Sequence, residues 1–267
     1  MNTNTQAVAT EDLLLRRDDA GVVTLTLNRP AQFNSLSRAL MSALQDELDR
    51  IAADAGARVV VLAGAGKAYC AGHDLKEMRS NPAKSFQRAL FDQCSALMLT
   101  LVRMPQPVIA RVHGIATAAG CQLVSMCDLA VASDNSRFAV SGVNLGLFCS
   151  TPSVGLARNV GRKQAMEMLL TGDFIDAQTA LARGLVNRVV PPEKLDAEIK
   201  QLTDSILAKT PVAIKAGKQM FYRQLEMGLD EAYALASETM ACNMMAEDAQ
   251  EGIDAFVGKR KPQWKGR

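Results

Sequence analysis

Gly64-Ala-Gly-Lys-Ala-Tyr-Cys-Ala-Gly-His-Asp-Leu75 and His113-Gly-Ile-Ala-Thr-Ala-Ala-Gly-Cys-Gln-Leu123 are two short glycine-rich stretches whose reading decides the fold. Each follows an apolar, β-branched run (Val59 to Leu62, Val108 to Val112) and precedes a helix-compatible segment. Strand, small-residue turn and helix start, twice over, present free backbone N–H groups where partial positive charge collects. Two such ends aimed at one oxygen form an oxyanion hole that needs no particular side chain. The pattern therefore points to chemistry at a carbonyl whose oxygen becomes negative.

Around these stretches the periodicity is regular. Val22 to Asn28 reads as a strand ended by Arg29-Pro30. Ser37 is placed to cap a helix carrying Leu40, Met41, Leu44, Leu48 and Ile51 on one face. Val59 to Ala63 is continuously apolar, as buried parallel strands are. A helix is expected over Ser85–Val102, strands at Val108–Val112 and Leu129–Ser133, and a short strand at Leu185–Val190. Beyond about Ser153 helices dominate: one bears Leu195, Ile199, Leu202 and Ile206, and others cover Val212–Leu225 and Leu229–Met245. The expectation is an α/β part with parallel strands and crossovers leading into a helical C-terminal part.

At 267 residues, 48% hydrophobic with mixed charge, the chain fits one large globular domain with at most a small appendage. A formal charge of +2 gives no warrant for a nucleic-acid or membrane partner. Six cysteines contain no CxxC pair and no Cys/His cluster, so neither disulfides nor a metal site is expected. Residues 1–11 read as a disordered lead without a basic n-region or apolar core, and no apolar run reaches membrane-spanning length. A cytoplasmic location is the resulting expectation. The basic end, Lys259 to Arg267, reads either as a solvated tail or as a phosphate contact.

The ordered series Leu27-Asn-Arg-Pro30, Asn34-Ser-Leu36, Gly66 to Glu77, Pro107 to Ala110, Gly114 to Gln122, Cys127-Asp128, Leu169 to Gly172, Ala182 to Val186 and Glu251 to Phe256 resembles the enoyl-CoA hydratase/isomerase (crotonase) superfamily over nearly the whole chain. Gly72 to Glu77, Ala116 to Gln122 and Gly142 to Pro152 look like its branch called enoyl-CoA hydratase domain-containing protein 3. The resemblance implies a crotonase (ClpP-like) spiral of ββα units over residues 12–200. It also implies a C-terminal helical region, 201–267, that assembles a homotrimer or a dimer of trimers. An acyl-CoA thioester is the implied substrate, with coenzyme A as part of it and no prosthetic group. The family's oxyanion donors fall on the backbone N–H groups of His73 and Ala119. Its CoA groove falls on Arg29, Phe33, Ala71 and Leu75, with Phe256 in the acyl pocket and Lys259 near the phosphates, often from a neighbouring subunit.

The family's hydratases use two glutamates to activate water and deliver a proton. Here Gln122 and Gly142 stand at those positions. An amide orients water but accepts no proton near neutral pH, and glycine offers no side chain. Losing each group is expected to lower hydration by about 10²–10⁴-fold, and installing glutamate at both is expected to raise it. Asp74 reads as a helix cap, Asp128 and His113 as structural, and Cys149 as a core residue without a base partner; His73 is the one candidate acid or base beside the hole. The expected function is thus a CoA-thioester protein that stabilises an enolate but hydrates weakly. The alternatives are another CoA-thioester reaction (isomerisation, decarboxylation, hydrolysis) and a non-catalytic acyl-CoA binder.

Overall fold

The computed structural model describes residues 12–267; the lead read over 1–11 lies outside the described residues. The described chain starts with β1 (Leu14–Asp19), which turns at Ala20-Gly21 and returns antiparallel as β2 (Val22–Leu27). A single 3-10 turn at Pro30–Gln32 leads to α1 (Arg38–Ala53). The Ser37 hydroxyl caps α1 by accepting the Leu40 amide at 3.2 Å, and Leu40, Met41, Leu44, Leu48 and Ile51 are buried as their spacing requires. Then come β3 (Val59–Gly64), the short α2 (Leu75–Ser80), α3 (Lys84–Arg103) and β4 (Val108–Val112). The second glycine stretch contributes β5 (Ile115–Thr117) and α4 (Ala119–Met126), followed by β6 (Leu129–Ser133) and β7 (Arg137–Ala139). A 3-10 turn at Ser141–Leu145 precedes α5 (Ser150–Asn159), α6 (Arg162–Thr171), β8 (Ile175–Asp176), α7 (Ala177–Ala182) and β9 (Arg188–Val190). The chain ends in α8 (Leu195–Leu207), α9 (Pro211–Gln224), α10 (Leu229–Met244) and α11 (Glu247–Val257).

The main sheet runs β1-β2-β3-β4-β6-β9 and is parallel from β2 onward. All six residues of β3 are buried, because helices cover both faces of the sheet. One face packs on α1, α3 and α4; the other meets α8, where Leu195 and Ile199 join Val59, Val61, Ile109 and Val131. A second, small sheet of order β5-β7-β8 lies beside the first. It was not expected: the second glycine stretch holds a strand of its own, paired in parallel with β7, rather than a plain turn into a helix. The strand expected over Leu185–Val190 is confined to Arg188–Val190, the residues that pair with β6, while the Leu185 amide is taken by the Ala180 carbonyl at the end of α7.

The boundary placed at residue 200 falls inside α8, which belongs with the sheet it covers. The helices that extend beyond the sheet begin with α9. This helix is anchored by Lys218, whose Nζ donates to the Leu101 and Gln106 carbonyls at 2.8 Å each and to Asp128 Oδ2 at 2.7 Å. The basic end is folded back, not free. Glu251 takes both guanidinium nitrogens of Arg260 and the Gln263 amide, and Trp264 Nε1 donates to the Ala208 carbonyl at 2.8 Å. All six cysteines are free thiols, five buried and only Cys242 exposed. Among the described residues no helix is long and apolar enough to cross a membrane.

Candidate active site

The two glycine stretches meet. Cys70 donates its amide to the Ile115 carbonyl at 3.1 Å and accepts the Thr117 amide at 3.0 Å. Two residues on, the same segment turns to the other neighbour: the Gly72 carbonyl accepts the Leu36 amide at 2.7 Å, and the Asp74 amide donates to the Leu36 carbonyl at 3.1 Å. In a parallel pairing, the groups flanking a residue face one edge while its own N–H faces the other. The His73 amide therefore points away from Leu36, toward the 115–119 segment. Ala119 opens α4 there with no side-chain cap, and among the described residues neither amide has a hydrogen-bond acceptor.

Glycines make this approach possible. Gly72 has φ +89°, and a Cβ on it would lie 2.9 Å from Ala118 Cβ and 3.2 Å from the Ala119 nitrogen. A Cβ on Gly120 would lie 2.1 Å from the Cys70 carbonyl oxygen. Ala118 is held at φ 50°, ψ −119°, a conformation that glycine favours, with its amide bonded to the Ala139 carbonyl at 3.0 Å. Such backbone costs about 1–3 kcal/mol and concentrates at functional sites. Here it aims the Ala119 amide. Two amides without an acceptor, on segments that meet across Gly72, are what an oxyanion-stabilising site requires.

Gln122 and Gly142, where the resemblance places glutamates, lie on α4 and in the 3-10 turn beyond β7. Gln122 is one turn after Ala119 on α4, buried, with Oε1 4.0 Å from the Cys94 thiol. Gly142 sits in the 3-10 turn beyond β7, and its amide donates to Cys149 Sγ at 3.2 Å. A Cβ there would lie 2.5 Å from the Leu147 carbonyl oxygen and 2.7 Å from Cys149 Sγ. The expectation that a glutamate can simply be restored at Gly142 is therefore corrected, because the backbone and a buried thiol fill that space. A pair that the sequence did not reveal joins β5 to the turn that holds Gly142: Thr117 Oγ1 and Ser141 Oγ, 2.9 Å apart. Neither stands out in a pattern, since the pair forms only when β5 and the 141–145 turn come together.

His73 is no acid–base candidate in this geometry. Both ring nitrogens are buried without a partner, the ring stands edge-on to Phe91 at 5.4 Å, and burial lowers its pKa to about 4. His113 is structural, with Nε2 2.9 Å from the Gly66 carbonyl, and Asp128 accepts the Val108 amide at 2.7 Å as well as Lys218. Burial raises the Cys149 pKa, which disfavours the thiolate. Of the groove residues, Ala71 and Phe33 are joined by an amide-to-carbonyl bond of 3.0 Å, and Phe33 and Leu75 expose about half their surfaces. The Arg29 guanidinium instead turns inward to Asp74 and Ser35. Phe256 is 85% exposed on α11, so a single chain does not pack it into this site, and Lys259 follows in the turn beyond that helix.

A family model described as enoyl-CoA hydratase/isomerase matches residues 17–267. Enoyl-CoA hydratase domain-containing protein 3, mitochondrial, of Xenopus laevis is 45% identical over 94% of this chain and 86% of its own length. The crystal structure of an enoyl-CoA hydratase from Mycobacterium smegmatis superposes with a TM-score of 0.94 at 59% identity, covering 95% of this chain and 99% of that one. That of human enoyl-CoA hydratase domain-containing protein 3 gives 0.92 at 44% identity, covering 94% and 100%. The α/β architecture is thus the crotonase fold. The cytoplasmic location expected from the sequence is overturned by the frog, mouse and human relatives, which are named as mitochondrial proteins and point to mitochondria instead. With a match that takes in both sheets, the paired amides and every helix, this protein belongs to the enoyl-CoA hydratase/isomerase (crotonase) family.

Proposed function

We propose that this protein binds acyl-CoA thioesters and stabilises the enolate form of the thioester with the backbone amides of His73 and Ala119. The observation that carries the reading is the convergence of two unpaired amides across Gly72. Hydration, isomerisation and decarboxylation of a CoA thioester all pass through an oxyanion that such donors stabilise more than the ground-state carbonyl. With Gln122 and Gly142 in place of two carboxylates, neither of these positions supplies a group that accepts a proton at neutral pH. Water attack at C3 lacks a base and C2 lacks an acid. Crotonyl-CoA hydration at least about a hundredfold below a two-glutamate relative is the expected result.

Coenzyme A enters as part of the substrate. Its adenine and pantetheine lie along Phe33, Ala71 and Leu75, with the Arg29 turn beneath. Phe256 and Lys259 belong to the same binding machinery when supplied by a neighbouring chain. Phe256 at 85% exposed and Val257 at 75% are otherwise unexplained on a folded protein. Together with the exposed Leu229, Tyr233 and Met240 of α10 they support a homotrimer or a dimer of trimers. The test is titration with acyl-CoAs of graded chain length, followed by turnover assays on enoyl, β,γ-unsaturated and malonyl-type thioesters. Binding with a product identifies the reaction, and failure to bind any CoA thioester ends the reading. Gln122, buried and unable to accept a proton, and the His73 imidazole, whose pKa burial lowers to about 4, favour a second reading, a non-catalytic acyl-CoA binder, which predicts binding with no product over the same panel.

A further inference from the structure

The turn between β2 and α1 lies against the loop that carries His73. Arg29 Nη2 donates to Asp74 Oδ2 at 2.9 Å, and Nη1 donates to the Ser35 carbonyl at 2.6 Å and the Ser35 hydroxyl at 3.2 Å. The two charged side chains are only 17% and 14% exposed. Asp74 divides its oxygens. Oδ1 accepts the Lys76 and Glu77 amides at 3.1 and 3.2 Å, capping α2, while Oδ2 takes the guanidinium. Burial alone would push the Asp74 carboxyl up, but Arg29 and the capping amides hold it below the usual range. Arg29 is itself fixed. Its amide donates to Asn34 Oδ1 at 2.9 Å, and the buried Asn34 donates in turn to the carbonyls of Ala65, Ala68 and Tyr69.

His73 stands between two very different neighbours. On one side Gly72, at φ +89°, has no side chain to resist rotation of the following peptide. On the other, Asp74 opens a helix of only six residues, too short to hold its own N-terminus. We infer that Arg29 is a positioning residue for the thioester site, fixing through Asp74 the direction in which the His73 amide points. Gly72 is the swivel, and the Arg29–Asp74 pair, with Arg29 also gripping Ser35 beside Leu36, reinforces the Leu36 bonds to the Gly72 carbonyl and the Asp74 amide as the lock. Arginine suits this task because its planar fork reaches the Ser35 carbonyl and the carboxylate at once, which a lysine ammonium does less well. The role follows from contacts within the chain and does not require Arg29 to touch coenzyme A. It does rest on the thioester reading proposed above.

The test uses the full chain and hexanoyl-CoA labelled with ¹³C at the thioester carbonyl. Titration gives Kd, and the infrared stretch of the bound carbonyl reports polarisation by the hole. Wild type is expected to bind and to lower the stretch relative to free thioester. Asp74→Asn, which keeps the capping oxygen, and Arg29→Leu should raise Kd by less than about tenfold, the range of one hydrogen bond, yet lose most of the shift. Arg29→Lys should fall between them and wild type. Thermal midpoints check folding, and if Arg29→Leu does not fold, the other two variants decide. A full carbonyl shift in Asp74→Asn and Arg29→Lys overturns the inference while leaving the thioester reading intact. A wild type that does not bind, or binds with an unshifted carbonyl, overturns both.

Discussion

Gly72 and Gly142 are the same residue type with opposite consequences. At Gly72 the missing side chain lets two segments touch at φ +89°. Gly72→Ala should therefore lose more than about 1 kcal/mol of stability, because it adds both backbone strain and a close contact. It should also abolish polarisation of a bound thioester. Chemical denaturation and the carbonyl stretch measure the two effects. At Gly142 the missing side chain marks a filled space. Gln122→Glu alone is expected to raise crotonyl-CoA hydration by up to about a hundredfold. Gly142→Glu should lower the thermal midpoint, and the double variant should be no faster than Gln122→Glu; initial rates and melting curves decide. The meeting of the segments that carry the His73 and Ala119 amides was legible in the sequence because small residues announce both turns. The lock on it was not. Arg29 and Asp74 are 45 positions apart and meet only in the fold, and Thr117 and Ser141 are likewise brought together by tertiary pairing.

Helices with a clear apolar stripe, α1, α3 and α8, were readable because 3.6-residue periodicity is local. The missed strands lack that signal. β1 carries Arg16, Arg17, Asp18 and Asp19 and is a strand only because β2 supplies its partners, while β5, β7 and β8 are two or three residues long. Lys218 ties α9 to the rest of the fold. The Lys218 side chain is 6% exposed, and its ammonium has three oxygen acceptors. Lys218→Met strips Asp128 of its cationic partner in a buried setting and should destabilise by about 3–5 kcal/mol. Adding Asp128→Asn should recover part of that loss, which urea denaturation of the single and double variants will measure. The final turn after α11 is governed by Glu251. Two nitrogens of Arg260 and the Gln263 amide hold its carboxyl down at about 2, below its ordinary value of 4.5. A carboxylate depressed in this way stabilises fully above 4.5, and its contribution is lost as pH falls through about 2. Trp264 is the only tryptophan, so its emission should shift to the red across that window. Glu251→Gln should display the shifted emission already at pH 7.

On the scale of the whole molecule, the sheet and its helices bury an extensive core while α9 to α11 present large apolar side chains to solvent. Sedimentation of the purified protein is expected to give the mass of three or six chains. Leu229→Glu with Met240→Glu should reduce that mass and weaken acyl-CoA binding together, because Phe256 and Lys259 then lose the neighbour to which they contribute. A monomeric wild type would remove the assembly from the account. The distribution of sulfur gives a direct way to watch this equilibrium. With five thiols sealed inside, a maleimide dye has a single address per chain, Cys242 on α10. Glu238 beside it raises the thiol's pKa, so labelling calls for mildly alkaline buffer. Dyes gathered on one assembly would quench one another and brighten on dilution, turning an unremarkable cysteine into a gauge of subunit exchange.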